Sequence, residues 1–192
     1  MTTATWAPVD AQFGGSVPGA SADAAQTLPL GGGTTVGAAG SNPAVGTIRR
    51  FYDTTGKYGI GEFIYLPGVA SLAVGDVVEY NLSAGVNGTT DATVVRWAGT
   101  AGSGKPLAVA MTANTSATTY SWFQISGAAV LNTNGTVAAG DKAFWQATAV
   151  VSSTQVNGKQ VLGAVAFSAN GVPAANQAVY TINRPHAQGQ IV

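Results

Sequence analysis

An all-β domain, an antiparallel β-barrel or sandwich with an extended Gly/Ala/Thr-rich N-terminal arm, is the fold class that this 192-residue chain predicts. Three observations carry that prediction. Short runs of aromatic and β-branched residues recur at spacings of about 10 to 20 residues, punctuated by Gly and Asn, as in sandwiches and barrels. Asn-Gly pairs stand between those runs, at residues 87–88, 134–135, 157–158 and 170–171, and both residue types tolerate the positive φ of tight hairpins. No window sustains an apolar stripe with the helical period, so helix is expected to be minor.

Residues 1–46 form the arm and residues 47–192 the β domain. The arm is dominated by Gly, Ala, Ser, Thr and Pro, and its only charges are Asp10 and Asp23. Such composition cannot fill a core, and two readings compete for it. One is a flexible tail. The other is an arm that orders on a partner, because Trp6, Phe13, Val17, Leu28 and Leu30 punctuate it and a pure linker has no need of apolar anchors.

From residue 47 the pattern turns to strands, expected over 47–53, 60–66, 77–81, 92–97, 107–112, 120–125, 142–147, 161–168 and 177–182. The run 60–66 is stopped by Pro67-Gly68. The last run alternates, with Ala178, Tyr180 and Ile182 on one face and Gln177 and Thr181 on the other. A weak internal echo joins Ala73-Val74-Gly75-Asp76 to Ala138-Ala139-Gly140-Asp141, each launching a strand that ends in an aromatic residue. Recurring turn chemistry is the first reading of that echo, and two related half-barrels the second.

Charge is the compositional anomaly. Asp, Glu, Lys and Arg make up 8% of the chain, eight acidic and eight basic residues, where soluble domains carry roughly 25%. A neutral, weakly charged surface has little self-repulsion to keep copies apart. The balance, with no Lys/Arg cluster beyond Arg49-Arg50, argues against direct nucleic-acid binding. No basic and apolar leader opens the chain, and no apolar run approaches the ~18 residues of a membrane span. Neither membrane association nor export by a standard signal is expected. The absence of cysteine removes disulfides, thiolate metal sites and a cysteine nucleophile together.

Catalytic constellations are thin. The run Gly99 to Pro106 nearly spells a phosphate-binding loop, but Pro106 stands where that motif needs a hydroxyl, and a strand follows where it needs a helix. His186 is the only histidine, placed in a polar tail without a nucleophile elbow, and one histidine excludes metal centres built from several. Asp76 and Glu79 face opposite sides of a strand and cannot act as a pair. Glu62, among Ile60, Ile64 and Leu66, is expected to bond Arg49, Arg50 or Arg96. The aromatics Trp97, Trp122, Phe123, Phe144 and Trp145 read first as core and subunit contacts, second as a stacking platform. No catalytic residue, metal or cofactor is assigned.

Three stretches together carry a resemblance: Gly61 to Ser71 with Gly75 to Tyr80, Ser121 to Val130, and Thr181 to Pro185. They resemble small capsid decoration or cement proteins, which stabilise the heads of tailed double-stranded-DNA bacteriophages. The likeness spans roughly residues 44–186. It implies an all-β, non-enzymatic protein, often a homotrimer, clamped on the outer capsid surface across joints between major capsid protein subunits and assembled in the host cytoplasm. The alternatives from the residues are a head-fibre, tail or baseplate component for host attachment, and a sugar-binding or hydrolytic β domain using Trp97, Trp122 or Trp145 with Glu62 or Asp141. The expected partners are the major capsid protein and further copies of the chain. The candidate partner-binding residues are Trp6, Phe13, Leu28 and Leu30 in the arm, with Arg49 and Arg50 at its junction; charge guarding an edge strand is the other reading of that Arg pair.

Overall fold

The computed structural model describes residues 6–9, 43, 45–84, 90–114 and 119–189. Among them the chain is all β. The strands are β1 (Trp6–Pro8), β2 (Ile48–Asp53), β3 (Ile60–Pro67), β4 (Val77–Ala84), β5 (Thr90–Arg96) and β6 (Leu107–Ala110), then β7 (Tyr120–Asn132), β8 (Lys142–Ala147), β9 (Val150–Ser152), β10 (Gln160–Ala166) and β11 (Gln177–Ala187). The nine expected strands all form. The two that the pattern missed, β1 and β9, are three residues each, too short to show alternation.

Every strand pairing is antiparallel, in one eleven-stranded sheet ordered β1-β2-β3-β7-β11-β10-β8-β9, with β4, β5 and β6 branching from β7. The sheet does not close, so the outcome is a sandwich and not a barrel. A single parallel bridge, Thr133 to Val151, brings β9 back towards the end of β7.

β7 is the spine. Its first half pairs with β3, from Pro67↔Tyr120 to Glu62↔Ser126, and its second half with β11, from Asn183↔Ser126 to Gln177↔Asn132. The sequence pattern stops this strand at Ile125, because Ser126-Gly127-Ala128 has low strand propensity. A buried side chain carries it onward. Gln124 is inaccessible to solvent, and its Nε2 donates to the carbonyls of Ser126 and Ala128, at 3.0 Å each. Gly127 sits between them at φ +99°, where a Cβ would lie 2.6 Å from the Ile60 carbonyl oxygen, so only glycine fits the bend.

The Gly-Asp echo marks a repeated unit. β4 pairs with β5 and β6, and β6 with β7; β8 pairs with β9 and β10, and β10 with β11. Both units open on the same turn. The Asp76 carboxylate accepts the Ala73 N–H at 3.0 Å, and Asp141 accepts that of Ala138 at 2.8 Å. Gly75 donates to the Ala110 carbonyl and Gly140 to the Ala166 carbonyl, and those third strands return N–H bonds to Asp76 and Asp141. Recurring turn chemistry is thus embedded in a recurring strand order, with the last strands of the two units, β7 and β11, paired to each other.

The Asn-Gly turns are partly as expected. Gly135, Gly158 and Gly171 adopt positive φ but their asparagines do not, so these are longer connections than two-residue hairpins; Asn87-Gly88 lies outside the described residues.

Three apolar clusters make the core. One gathers Val77 of β4 and Trp97, just after β5, with Leu131 of β7, Val161 of β10 and Tyr180 and Ile182 of β11. The second sets Ile64, Leu66, Phe123 and Ile125 of β3 and β7 against Val78, Ala108 and Ala110 of the β4–β6 branch. The third is aromatic: Trp6, Phe51, Phe63, Tyr65, Tyr120 and Trp122. Most of its rings meet edge-on, with Phe51 and Trp122 centroids 5.1 Å apart and Tyr65 and Trp122 5.3 Å apart, the geometry that aligns positive ring edges with negative faces, while Tyr65 and Tyr120 stack with centroids 6.0 Å apart.

Candidate interaction surface

Alternation along β2 sends Phe51 and Asp53 inward and Ile48, Arg50 and Tyr52 outward. Register then sets Ile48 opposite Ile64, Arg50 opposite Glu62 and Tyr52 opposite Ile60; Ile64 is buried under the β4–β6 branch, so the face is open only from Ile48 on β2 and over Glu62 and Ile60 on β3. Residues directly opposite share a face. The result is a mixed face, with Ile48 38%, Tyr52 43% and Ile60 50% exposed and the Arg50/Glu62 pair of positions between Ile48 and the Tyr52–Ile60 pair. Arg49 and Arg50 are both exposed. Val9, another exposed apolar residue, directly follows β1, its N–H donating to the Arg50 carbonyl at 3.1 Å.

The charges of this face are Arg50, Glu62 and Arg184. Arg184 Nη2 pairs with Glu62 Oε2 at 3.0 Å, both side chains substantially exposed, so screening keeps the pair weak. The partner expected for Glu62 was Arg49, Arg50 or Arg96; the chain turns Arg184 towards it because β11 runs on past Ile182 to Ala187. Asp53 serves the β2–β3 turn: it accepts the Thr55 hydroxyl at 2.7 Å and the N–H groups of Thr55, Lys57 and Tyr58 at 3.0 Å each. Burial pushes its carboxyl up, but those four bonds together outweigh burial and hold it below its ordinary value.

A second open feature is the β4–β5 hairpin. β6 covers β4 only from Val77 to Glu79, and beyond it Asn81, Leu82 and Ser83 are exposed, with Thr93 and Val95 exposed opposite. No proline or lysine guards this edge between Val78 and Val95, unlike most exposed edges.

The candidate residues divide accordingly. Arg50 stands on the open face, whereas Arg49, exposed as well, alternates to the opposite side of β2. Trp6 is 3% exposed and packs within its own chain against Phe51 and Phe63, so it is spent on the core. Within the expected arm, Trp6–Pro8 pairs with β2 as β1. Phe13, Leu28 and Leu30 lie outside the described residues. Sequence reasoning singled out Arg49 and Arg50 but missed Ile48, Tyr52 and Ile60, whose outward alternation is legible only once the β2–β3 register is known.

The chemical alternatives fare differently. Trp97 and Trp122 are buried, which removes both from a stacking platform. Gly99 packs on the Trp145 ring, and Lys159 Nζ lies 4.1 Å from its centroid. His186 lies in β11, bridged to Pro106, and not in a polar tail. The 99–106 loop leads into strand β6. Asp76 pairs with Arg96 at 3.0 Å and Glu79 with Lys105 at 2.6 Å; both acids are buried but in separate ion pairs. Among the described residues no three metal-ligating side chains converge. What the β2–β3 face offers instead is exposed Ile48, Tyr52 and Ile60 around Arg50 and the Arg184–Glu62 pair. Comparison with protein-family models, curated proteins and solved structures yields no match to this chain, so the face itself bears the functional reading.

Proposed function

We propose that this chain is a non-enzymatic virion structural protein that binds the outer surface of a tailed-phage head and cements contacts between major capsid protein subunits. The observation that supports it most is the open β2–β3 face, Ile48, Arg50, Tyr52 and Ile60, on a chain that is only 8% charged. The exposed Ile48, Tyr52 and Ile60 side chains gain from leaving water against a neighbour, and Arg50 with the Arg184–Glu62 pair among them offers polar contacts that set register. Each contact can be weak, because a repeated lattice and a self-associated, trimeric chain engage many at once.

The test is to mix the purified chain with heads assembled without it, sediment the particles, and image them. Density on the lattice joints and heads that rupture at higher temperature are the expected results. A chain that stays in the supernatant, or density confined to one vertex or a tail, overturns the reading.

A further inference from the structure

Where β7 ends, the β8–β9 hairpin and the β10–β11 loop meet around an open cleft of about 390 Å³, lined by Asn132, Thr133, Asn134, Val150, Asn176 and Gln177 with two alanines. We propose that this cleft is a binding site for a neutral saccharide, a proposal independent of the capsid reading.

The base of the cleft is fixed by hydrogen bonds. Asn132 Nδ2 donates to the Val74 carbonyl and to Asp76 Oδ1, each at 2.9 Å, and Asn132 Oδ1 accepts from Gln177 Nε2 at 3.2 Å. Thr133 is tied to Asn170 Oδ1 through its hydroxyl and to the Asn176 carbonyl through its N–H, at 2.7 and 2.8 Å. Asn176 itself is held in the left-handed region at φ +57°, a conformation asparagine tolerates better than most residues. Neither the Asn134 nor the Asn176 side-chain amide has a hydrogen-bond partner among the described residues, and both residues are exposed. Unspent donors and acceptors thus sit on a rigid frame.

The lining decides the ligand class. No charged residue contributes to it, so nothing there offsets the desolvation of an ion. A carboxamide offers two donors and an acceptor, which matches hydroxyl groups that both give and take hydrogen bonds. Two such amides beside Gln177 can engage adjacent hydroxyls. Val150 with Ala147 and Ala175 supplies apolar surface for the C–H face of a sugar ring. The volume falls in the range of ligand clefts, about 300–1,000 Å³. Without an aromatic platform and with an open mouth, the expected dissociation constant is on the order of 1 mM.

Saturation-transfer NMR on the full chain, with a panel of neutral hexoses, N-acetylhexosamines and their disaccharides, tests the site. Transfer to at least one of these is expected, together with amide shift changes confined to residues 132–134, 147–150 and 175–177. N134A/N176A removes two exposed side-chain amides and is expected to abolish transfer, with a modest drop in melting temperature because alanine tolerates the φ of +57° at residue 176 less well than asparagine. No transfer from any neutral sugar, shift changes centred elsewhere, or transfer retained in N134A/N176A overturns the proposal. Shift mapping on the unaltered chain keeps the test decisive should the variant fail to fold.

Discussion

The indole of Trp6 meets the ring of Phe63 edge-on, with centroids 4.8 Å apart and planes inclined by 67°. A residue near the start of the chain is thereby built into the aromatic core. Trp6→Ala should cost about 3–5 kcal/mol, the range for emptying a buried Trp site, read as a lowered midpoint in urea. Deleting residues 2–40 should destabilise the domain for the same reason, which makes that deletion a poor probe of the arm.

A cleaner probe keeps residues 1–9 and replaces 11–41 with a Gly/Ser linker of about ten residues. Val9 lies beside Arg50, and residue 45 is five positions further along the same path, about 17 Å at strand rise. A ten-residue flexible linker spans that distance. Stability within about 1 kcal/mol of the full chain, with weaker sedimentation on heads, is the expected pair of results. Undiminished sedimentation would mean that residues 11–41 make no contribution to attachment.

The open face makes separable predictions. Tyr52→Ser with Ile60→Ser should change stability by no more than about 1 kcal/mol, since both are exposed. On heads the same double variant should lose about 2 kcal/mol, roughly 30-fold in affinity, if these are central anchors. Arg49→Ala with Arg50→Ala should weaken binding at low salt and matter less at high salt, because exposed charges are screened. Equal losses at both salt concentrations would assign the arginines a packing role instead.

Asp76 and Asp141 hold equivalent turns but unequal networks. Asp76 also takes Arg96 and Asn132 and is 2% exposed, whereas Asp141 is only half-buried. Asp76→Ala should cost about 3–5 kcal/mol, as when one partner of a buried pair is removed. Asp141→Ala should cost about 1 kcal/mol, one ordinary hydrogen bond. Denaturant midpoints on the two variants read the difference directly.

Acid should loosen the β2–β3 turn. The Asp53 carboxyl is held below its ordinary value in the folded chain, so its stabilising contribution is present above the unfolded value near 3.9. That contribution fades as pH falls through the lower folded value. Asp53→Asn should therefore lose stability at neutral pH, by about 2 kcal/mol, and show a shallower decline below pH 4. Parallel acid titrations of the two proteins by circular dichroism would expose an unchanged slope, which would place the acid sensitivity elsewhere.

Periodicity and turn residues determined the β class and nine of the strands by themselves, because alternation and Gly/Asn punctuation are local properties. The Gly-Asp echo was legible for the same reason, since each turn is closed by an aspartate three residues from its own N–H donor. What only tertiary structure decided is long-range. Gln124 carries β7 through Gly127 by bonding two carbonyls that propensity alone would leave in a loop. Arg184 reaches Glu62 because β11 and β3 flank the same spine. Trp6 joins the core only through Phe51 and Phe63, and the face of Ile48, Tyr52 and Ile60 exists only in the β2–β3 register. Local patterns name the strands; the choice of neighbour across each ladder settles which side chains are buried and which are left to bind.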